Sequence, residues 1–427
     1  MKRDFLLALG IVLSTASQLR PAGEIFLVIW IGLMLGRETV RLGPPFTPAL
    51  SRLVVFWLLF AAALSIGTLA GYAIGDVHDQ ALFMHDVMAY PLLAAISLLC
   101  VVGTDAELRL HRAAWLLVVV GSASLALQII QAWGWISIGS IDPWYWDRLR
   151  GWSENPNQLA ILCAVLGLLA LHLAEVATSM AARIAAIGGA ILPVYAGRLT
   201  KGDTFVLVLV AAGPIFISLK LRTWLLAHQP RLTVRSTCAW TAVLALPLLL
   251  ASIVPFSGSL AGGAQALIGD MAKGDQQDTK KTVQIRLQAW QLAIDRGLES
   301  AMLGLGPGPH LPIPPMIRAG RQDPSGEPRY LEHPEANGTS NFEAHNTLLD
   351  IFTQGGLIAV LGLVWLMTAT FLLTCRTRLD GLTALLCGLM IFSIFHLIVR
   401  HPAFWFSVAF CLVAAESRKA SSAQRWS

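Results

Sequence analysis

The chain has 427 residues, 55% of them hydrophobic and 13% charged, with a mean hydropathy of +0.63. That is too apolar for a soluble globular protein. Its long unbroken apolar runs also exclude a transmembrane barrel, whose strands alternate residue by residue. The formal net charge of +5 says little until the charges are placed along the chain.

Apolar runs of about 17–25 residues read as membrane-spanning helices. Twelve candidates follow one another: Phe5–Leu19, Gly23–Gly36, Leu53–Ile74, Val87–Val102, Ala113–Ile130, Gln158–Ala177, Ala181–Ala196, Thr204–Leu219, Ala239–Val254, Asn346–Thr374, Leu382–Val399 and Phe404–Ala415. The expected fold is therefore an all-α polytopic membrane protein. The first run follows Lys2 and Arg3 as a signal peptide would, but no small-x-small cleavage site stands out and a second span follows at once. It reads as retained. Residues 1–254 form spans one to nine, 255–344 a large loop, and 345–427 the last three spans and a tail.

With the N-terminus inside, the inner connections carry most of the lysines and arginines. Among them are Arg37, Arg41 and Arg52, and Lys220, Arg222, Arg231 and Arg235. The positive-inside rule then sets the orientation, and the large loop lies outside. All six cysteines (Cys100, Cys163, Cys238, Cys375, Cys387 and Cys411) lie in or beside apolar runs, with neither CxxC nor metal spacing. They read as small core residues.

Two outer segments are more than turns. The connection Gln131–Asn157 holds Trp133, Trp135, Trp144, Tyr145, Trp146 and Trp152, as suits a piece lying at the headgroups. In the large loop, Val283, Leu287, Trp290, Ile294 and Leu298 recur at helical spacing, which predicts an amphipathic helix over Thr282–Leu298. The GLGPGP that follows and the prolines beyond it read as an irregular, partly ordered flap. Phe404, Trp405 and Phe406 at the outer end of the last span read as an interfacial aromatic belt.

The chemistry is expected at Asn341–Gly356, where the polar loop meets an apolar helix. His345 stands at that junction, half out of water, where an imidazole with an ordinary pKa near 6.5 can accept a proton at pH 7. The same placement also suits a residue that caps the helix or anchors it at the headgroups. Cations remain on the outer face despite the usual bias: Arg148, Arg150, Arg198, Lys201, Arg286 and Arg400, the last followed by His401. A set of guanidinium groups suits phosphate oxygens, which accept bidentate hydrogen bonds from the planar fork. Any one of these side chains alone also suits headgroup snorkelling. Asp350, five residues beyond His345, is costly in lipid, so it is expected to face the bundle interior, where an arginine could pair with it. The outer acids, in DPWYWD and DQQD, show no metal-binding spacing, and neither metal nor cofactor is expected.

HNTLLD…GG at His345–Gly356, with an outer loop before it, resembles the motif of the O-antigen ligase and polymerase superfamily. RGWSENPNQLA (Arg150–Ala160), GRLTKGD (Gly197–Asp203), RLQAW (Arg286–Trp290) and GLGPG (Gly304–Gly308) are similar to further pieces of it, in the same order. Gly197 stands where that family usually has serine. A single large loop between spans nine and ten is similar to the ligases, whereas polymerases usually carry more spans and two such loops. The resemblance implies transfer of O-antigen polysaccharide from undecaprenyl diphosphate to lipid A–core at the periplasmic face of a bacterial inner membrane. The reaction it implies is a metal-independent, inverting displacement. It implies His345 as base, Arg198 and Arg286 on the diphosphate, and Arg148 or Arg150 assisting. Lys201, Asn346 and Arg400 are further expected substrate contacts. The expected partners are the lipid-linked donor, the lipid A–core acceptor and membrane lipids, with no nucleic acid. A polymerase that extends lipid-linked repeats is the alternative. A transporter fits less well, because most ionisable residues stand at span ends rather than near the midplane.

Overall fold

A computed structural model describes residues 2–40, 46–76, 80–138, 142–228, 276–313 and 341–424. The predicted ninth span, Ala239–Val254, lies outside the described residues. Among them are twelve helices, eleven at predicted spans and one in the loop: α1 (Lys2–Leu13), α2 (Arg20–Val40), α3 (Pro48–Ile74), α4 (Gln80–Val101), α5 (Ala106–Ala132), α6 (Pro156–Val176), α7 (Met180–Leu199), α8 (Asp203–His228), α9 (Gln276–Glu299), α10 (Thr347–Arg376), α11 (Asp380–Phe395) and α12 (Pro402–Gln424). Seven of these, α3 to α8 and α10, are long and apolar enough to cross a membrane. The chain is a multi-pass helical membrane protein.

Several helix starts follow from local chemistry. Thr47 and Asn155 cap α3 and α6, each followed by a proline whose missing N–H costs nothing at that position. Ser179 caps α7 by accepting from the Ala182 amide. Helix α6 is the hub, with 83% of its apolar window buried. At the rim stands α7, whose Met180, Ile184, Ile187 and Ile191 form one exposed apolar stripe. That stripe would be a liability in water and is ordinary against lipid tails. Phe404, Trp405 and Phe406 are not a belt. They are buried, with the Trp405 ring 4.5 Å from Trp57 and its indole N–H on the Val399 carbonyl.

Contacts between helix ends agree with the alternation read from the loop charges. On the basic face Lys220 joins Glu175 and Asp380, Arg37 joins Asp105, and Arg52 joins Glu416. On the other face Thr347 meets the His396 carbonyl, Arg148 meets the Thr200 carbonyl, and Asp76 holds Arg296 and His310. Each link joins ends assigned to one face.

Of the expected flap, the GLGPGP turn is a packed wedge, and the part beyond residue 313 lies outside the described residues. Helix α10 breaks at Gly356 (φ 62°, ψ −161°), which deprives nearby backbone groups of their helical partners. The turn supplies replacements: Leu305 and Gly306 N–H donate to the Thr353 and Gln354 carbonyls at 2.8 Å, and Leu357 N–H to the Met302 carbonyl at 2.9 Å. An interrupted helix is tolerated at such depth only where protein satisfies the freed groups. Residues Gly304 to Leu311 are accordingly buried. The wedge is pinned from behind by His310, whose ring bridges Asp76 (2.9 Å) and the Gly306 carbonyl (2.7 Å).

Helix α9 occurs as predicted, yet on a different face. Leu287, Ile294 and Leu298 are exposed, while Ala289 and Ala293 are buried. The reason is close approach: a Cβ added at Gly297 would overlap the Phe352 ring of α10. Small residues therefore face the bundle.

Candidate active site at one membrane face

Arg148 stands on a two-stranded hairpin, β1 (Trp144–Tyr145) and β2 (Arg148–Leu149), within the aromatic connection. Its Nε donates to the Thr200 carbonyl (2.9 Å) and its Nη2 to Asn157 Oδ1 (3.2 Å). The hairpin is thereby stitched to the end of α7 and the start of α6. Burial lowers the Arg148 pKa and Asp203 opposes it; a guanidinium remains charged throughout.

Arg286 projects from α9, half-buried, with its guanidinium 5.7 Å from the centre of the Phe395 ring. Burial pulls its pKa down; Asp203 opposes that pull and the positive charge of Arg148 adds to it. Among the described residues it has no hydrogen bond and no carboxylate within salt-bridge distance. Arg198, in the last turn of α7, is exposed, and its side chain is likewise unpaired among the described residues. Guanidinium groups left without counter-ions suit an anion.

Gly197, where serine was anticipated, has a local cause. A Cβ there would overlap the ring of Phe205, which fills the space behind the Arg198 turn. Gly197→Ser is therefore expected to displace that ring and lower thermal stability, and Gly197→Ser with Phe205→Leu to recover it. Thermal unfolding of the two purified variants checks this.

His345 is held with unusual care. It adopts a left-handed backbone (φ 53°), which costs a non-glycine residue about 1–3 kcal/mol and persists only where neighbours enforce it. The neighbours are identifiable. Asp350 Oδ1 accepts from the Ala344 N–H (2.7 Å) and Oδ2 from the Asn346 N–H (3.1 Å), so Asp350 spends its carboxylate on this turn rather than on an arginine. Trp290 Nε1 donates to the Ala344 carbonyl (3.1 Å), tying the turn to α9. Asn346, not His345, caps α10, its side-chain oxygen accepting from the Leu348 and Leu349 amides. The His345 ring stands edge-on to Phe342 at 5.1 Å, and neither ring nitrogen has a partner among the described residues. Burial lowers its pKa, Arg286 adds to the drop, and Glu343 opposes it. The imidazole is neutral at pH 7.

His396 is a residue that sequence reasoning missed. It ends α11 in extended backbone, and its carbonyl accepts from Thr347 Oγ1 at 2.5 Å. Burial, then Arg286, His345, His401 and Arg148, pull its pKa well down. The pair of histidines flanking Arg400 at a span end was the available signal.

Besides Asn346, which caps α10, three further expected contacts have partners within the protein. Arg150 Nε donates to the Asp142 carbonyl (2.9 Å), and its guanidinium lies 5.6 Å from the centre of the Tyr145 ring. Lys201 pairs with Asp147 (2.6 Å) at an exposed edge. Arg400 is clamped between Asp86 and Glu343, whose carboxylates outweigh burial and hold it firmly charged. Arg148, Arg286, His345 and His396 thus share one electrostatic neighbourhood, Arg198 stands two residues from the Arg148 contact, and Arg400 backs the His345 turn through Glu343. Among the described residues, no three His, Cys, Asp or Glu side chains gather as a metal site would require.

A multi-pass helical protein in which Arg286, without a counter-ion among the described residues, acts on the imidazole of His345 is a candidate for chemistry on an anionic lipid. Residues 162–364, just under half of the chain, match the family described as O-antigen ligase. The match takes in Arg198, Arg286 and His345 and leaves Arg148, His396 and Arg400 outside it. No curated protein matches the chain. That family implies glycosyl transfer from lipid-linked glycans in general.

Proposed function

We propose that this chain is an O-antigen ligase of a bacterial inner membrane, moving O-antigen from undecaprenyl diphosphate to lipid A–core at the periplasmic face. The observation that carries the reading is Arg286, without a counter-ion among the described residues, acting on the strained His345, whose pKa burial and that arginine lower; Arg198 is likewise unpaired at the end of α7. The arginines, with Arg148 beside them, grip the diphosphate and stabilise the charge it gains on leaving. His345 takes the proton from the acceptor hydroxyl, whose oxygen bonds to the anomeric carbon. The bond from that carbon to the diphosphate oxygen breaks on the opposite side, and the electron pair leaves with the diphosphate. The configuration inverts.

The test is transfer by purified protein from lipid-linked glycan to lipid A–core, with and without chelator. Activity that survives chelation is expected; its loss would overturn the metal-free step. Arg286→Ala is expected to reduce kcat/KM by on the order of 10²-fold. Arg286→Lys should recover little of this, because a point charge cannot reproduce the fork. A polymerase is separated from a ligase in cells lacking the protein. Long glycans stranded on the carrier lipid mark a missing ligase, and single repeats on the core mark a missing polymerase.

A further inference from the structure

His396 has no task in that mechanism, yet it stands among the groups that perform it. Its backbone is fixed to the catalytic turn: Thr347, two residues beyond His345, donates to the His396 carbonyl, and the Ile398 N–H returns to Thr347 Oγ1 at 3.1 Å. The ring leans on Phe392 at 4.8 Å. The neighbouring Phe395 ring carries the Arg286 guanidinium. The residue is partly accessible, and neither ring nitrogen has a hydrogen-bond partner among the described residues. A partly accessible imidazole with no partner in the protein can meet water in the empty site and an anion in the occupied one.

The charged and titratable groups that act on it come from four elements: Arg286 on α9, His345 before α10, His401 between α11 and α12, and Arg148 on β2. The acid near the two arginines is Asp203, at the start of α8. The site without substrate therefore repels a second proton on His396. An entering diphosphate reverses the sign of that field.

We infer that His396 is a further diphosphate contact, one that takes a proton from solvent as the anion enters and donates an N–H to a phosphate oxygen. The inference rests on the reading of the site as a diphosphate-binding centre. No bond to carbon is involved. One proton moves from bulk water to the ring, and binding is linked to pH. Affinity is then highest below the pKa of the empty state, falls as pH rises towards the pKa of the bound state, and is flat above it. The slope approaches about tenfold per pH unit between the two.

The experiment is titration calorimetry of the purified full chain with undecaprenyl diphosphate, in buffers of different ionisation enthalpy and over a range of pH. Net proton uptake is expected for the wild type and for His345→Gln. His396→Gln, which keeps an N–H donor but cannot titrate, should bind without uptake and with affinity independent of pH. Uptake that persists in His396→Gln, or vanishes in His345→Gln, overturns the assignment. Binding without uptake in the wild type overturns it as well. Failure of the wild type to bind at all instead removes the diphosphate reading, and the inference with it. A second measurement avoids substitution: diethyl pyrocarbonate, which acylates neutral imidazoles, should label His396 in the empty wild type and spare it once the diphosphate is bound. Equal labelling in both states contradicts the contact.

Discussion

His345→Ala is expected to lower glycan transfer by about 10²–10⁴-fold while leaving diphosphate binding within a few-fold of the wild type. The expectation follows from a division of labour. In the proposed reaction the arginines hold the anion, whereas the imidazole, without a partner among the described residues and with its pKa lowered, meets the acceptor hydroxyl. Its lowered pKa fixes the pH dependence. The neutral form is active, so activity is lost as pH falls through the His345 pKa. Because burial and Arg286 press that pKa below its ordinary value, the acid limb of kcat/KM should lie below about 6.5. An acid limb above that value, or a His345→Ala protein that transfers at the wild-type rate, removes the base.

The largest effect on stability is expected at Gly356. Its φ of 62° and ψ of −161° fall in a region essentially reserved for glycine, where other residues pay about 1–3 kcal/mol. A Cβ there would also overlap the Met302 carbonyl and Leu303, and overpacking adds about 1–3 kcal/mol. Together these are a large part of a typical stability of about 5–15 kcal/mol. Gly356→Ala should therefore unfold at much lower temperature. Gly188→Ala, where nothing lies within 4 Å of the added carbon, is the matched control. Equal unfolding temperatures for the two would mean that the α10 break is not anchored by the glycine wedge.

Sequence shows the spans because an apolar run of bilayer length has few other uses. It underestimates their ends: α3 begins at Pro48, ahead of the predicted Leu53, because Thr47 caps it there. The break at Gly356 is invisible in a pattern, since a Gly-Gly pair within an apolar run reads as helix until the turn that satisfies it is seen. The buried face of α9 is misread for a related reason. Its large apolar residues advertise burial, yet close packing on α10 selects Ala289, Ala293 and Gly297. At the site, Arg148, Arg286 and His345 were visible as cations and an imidazole at span ends. Arg150, Lys201 and Arg400 looked the same in sequence; what separates Arg198 and Arg286 from all of these, Arg148 included, is the lack of a carbonyl or carboxylate partner among the described residues. That depends on partners distant along the chain. His396 was hidden because a histidine at the end of an apolar span is usually a packed one.

The most direct measurement is a structure of the full chain with undecaprenyl diphosphate bound. Phosphate oxygens are expected within hydrogen-bond distance of Arg198 and Arg286, with the His345 ring facing the side from which an acceptor would approach. A diphosphate seated away from Arg286, or on the face that carries Lys220 and Arg52, would contradict the site.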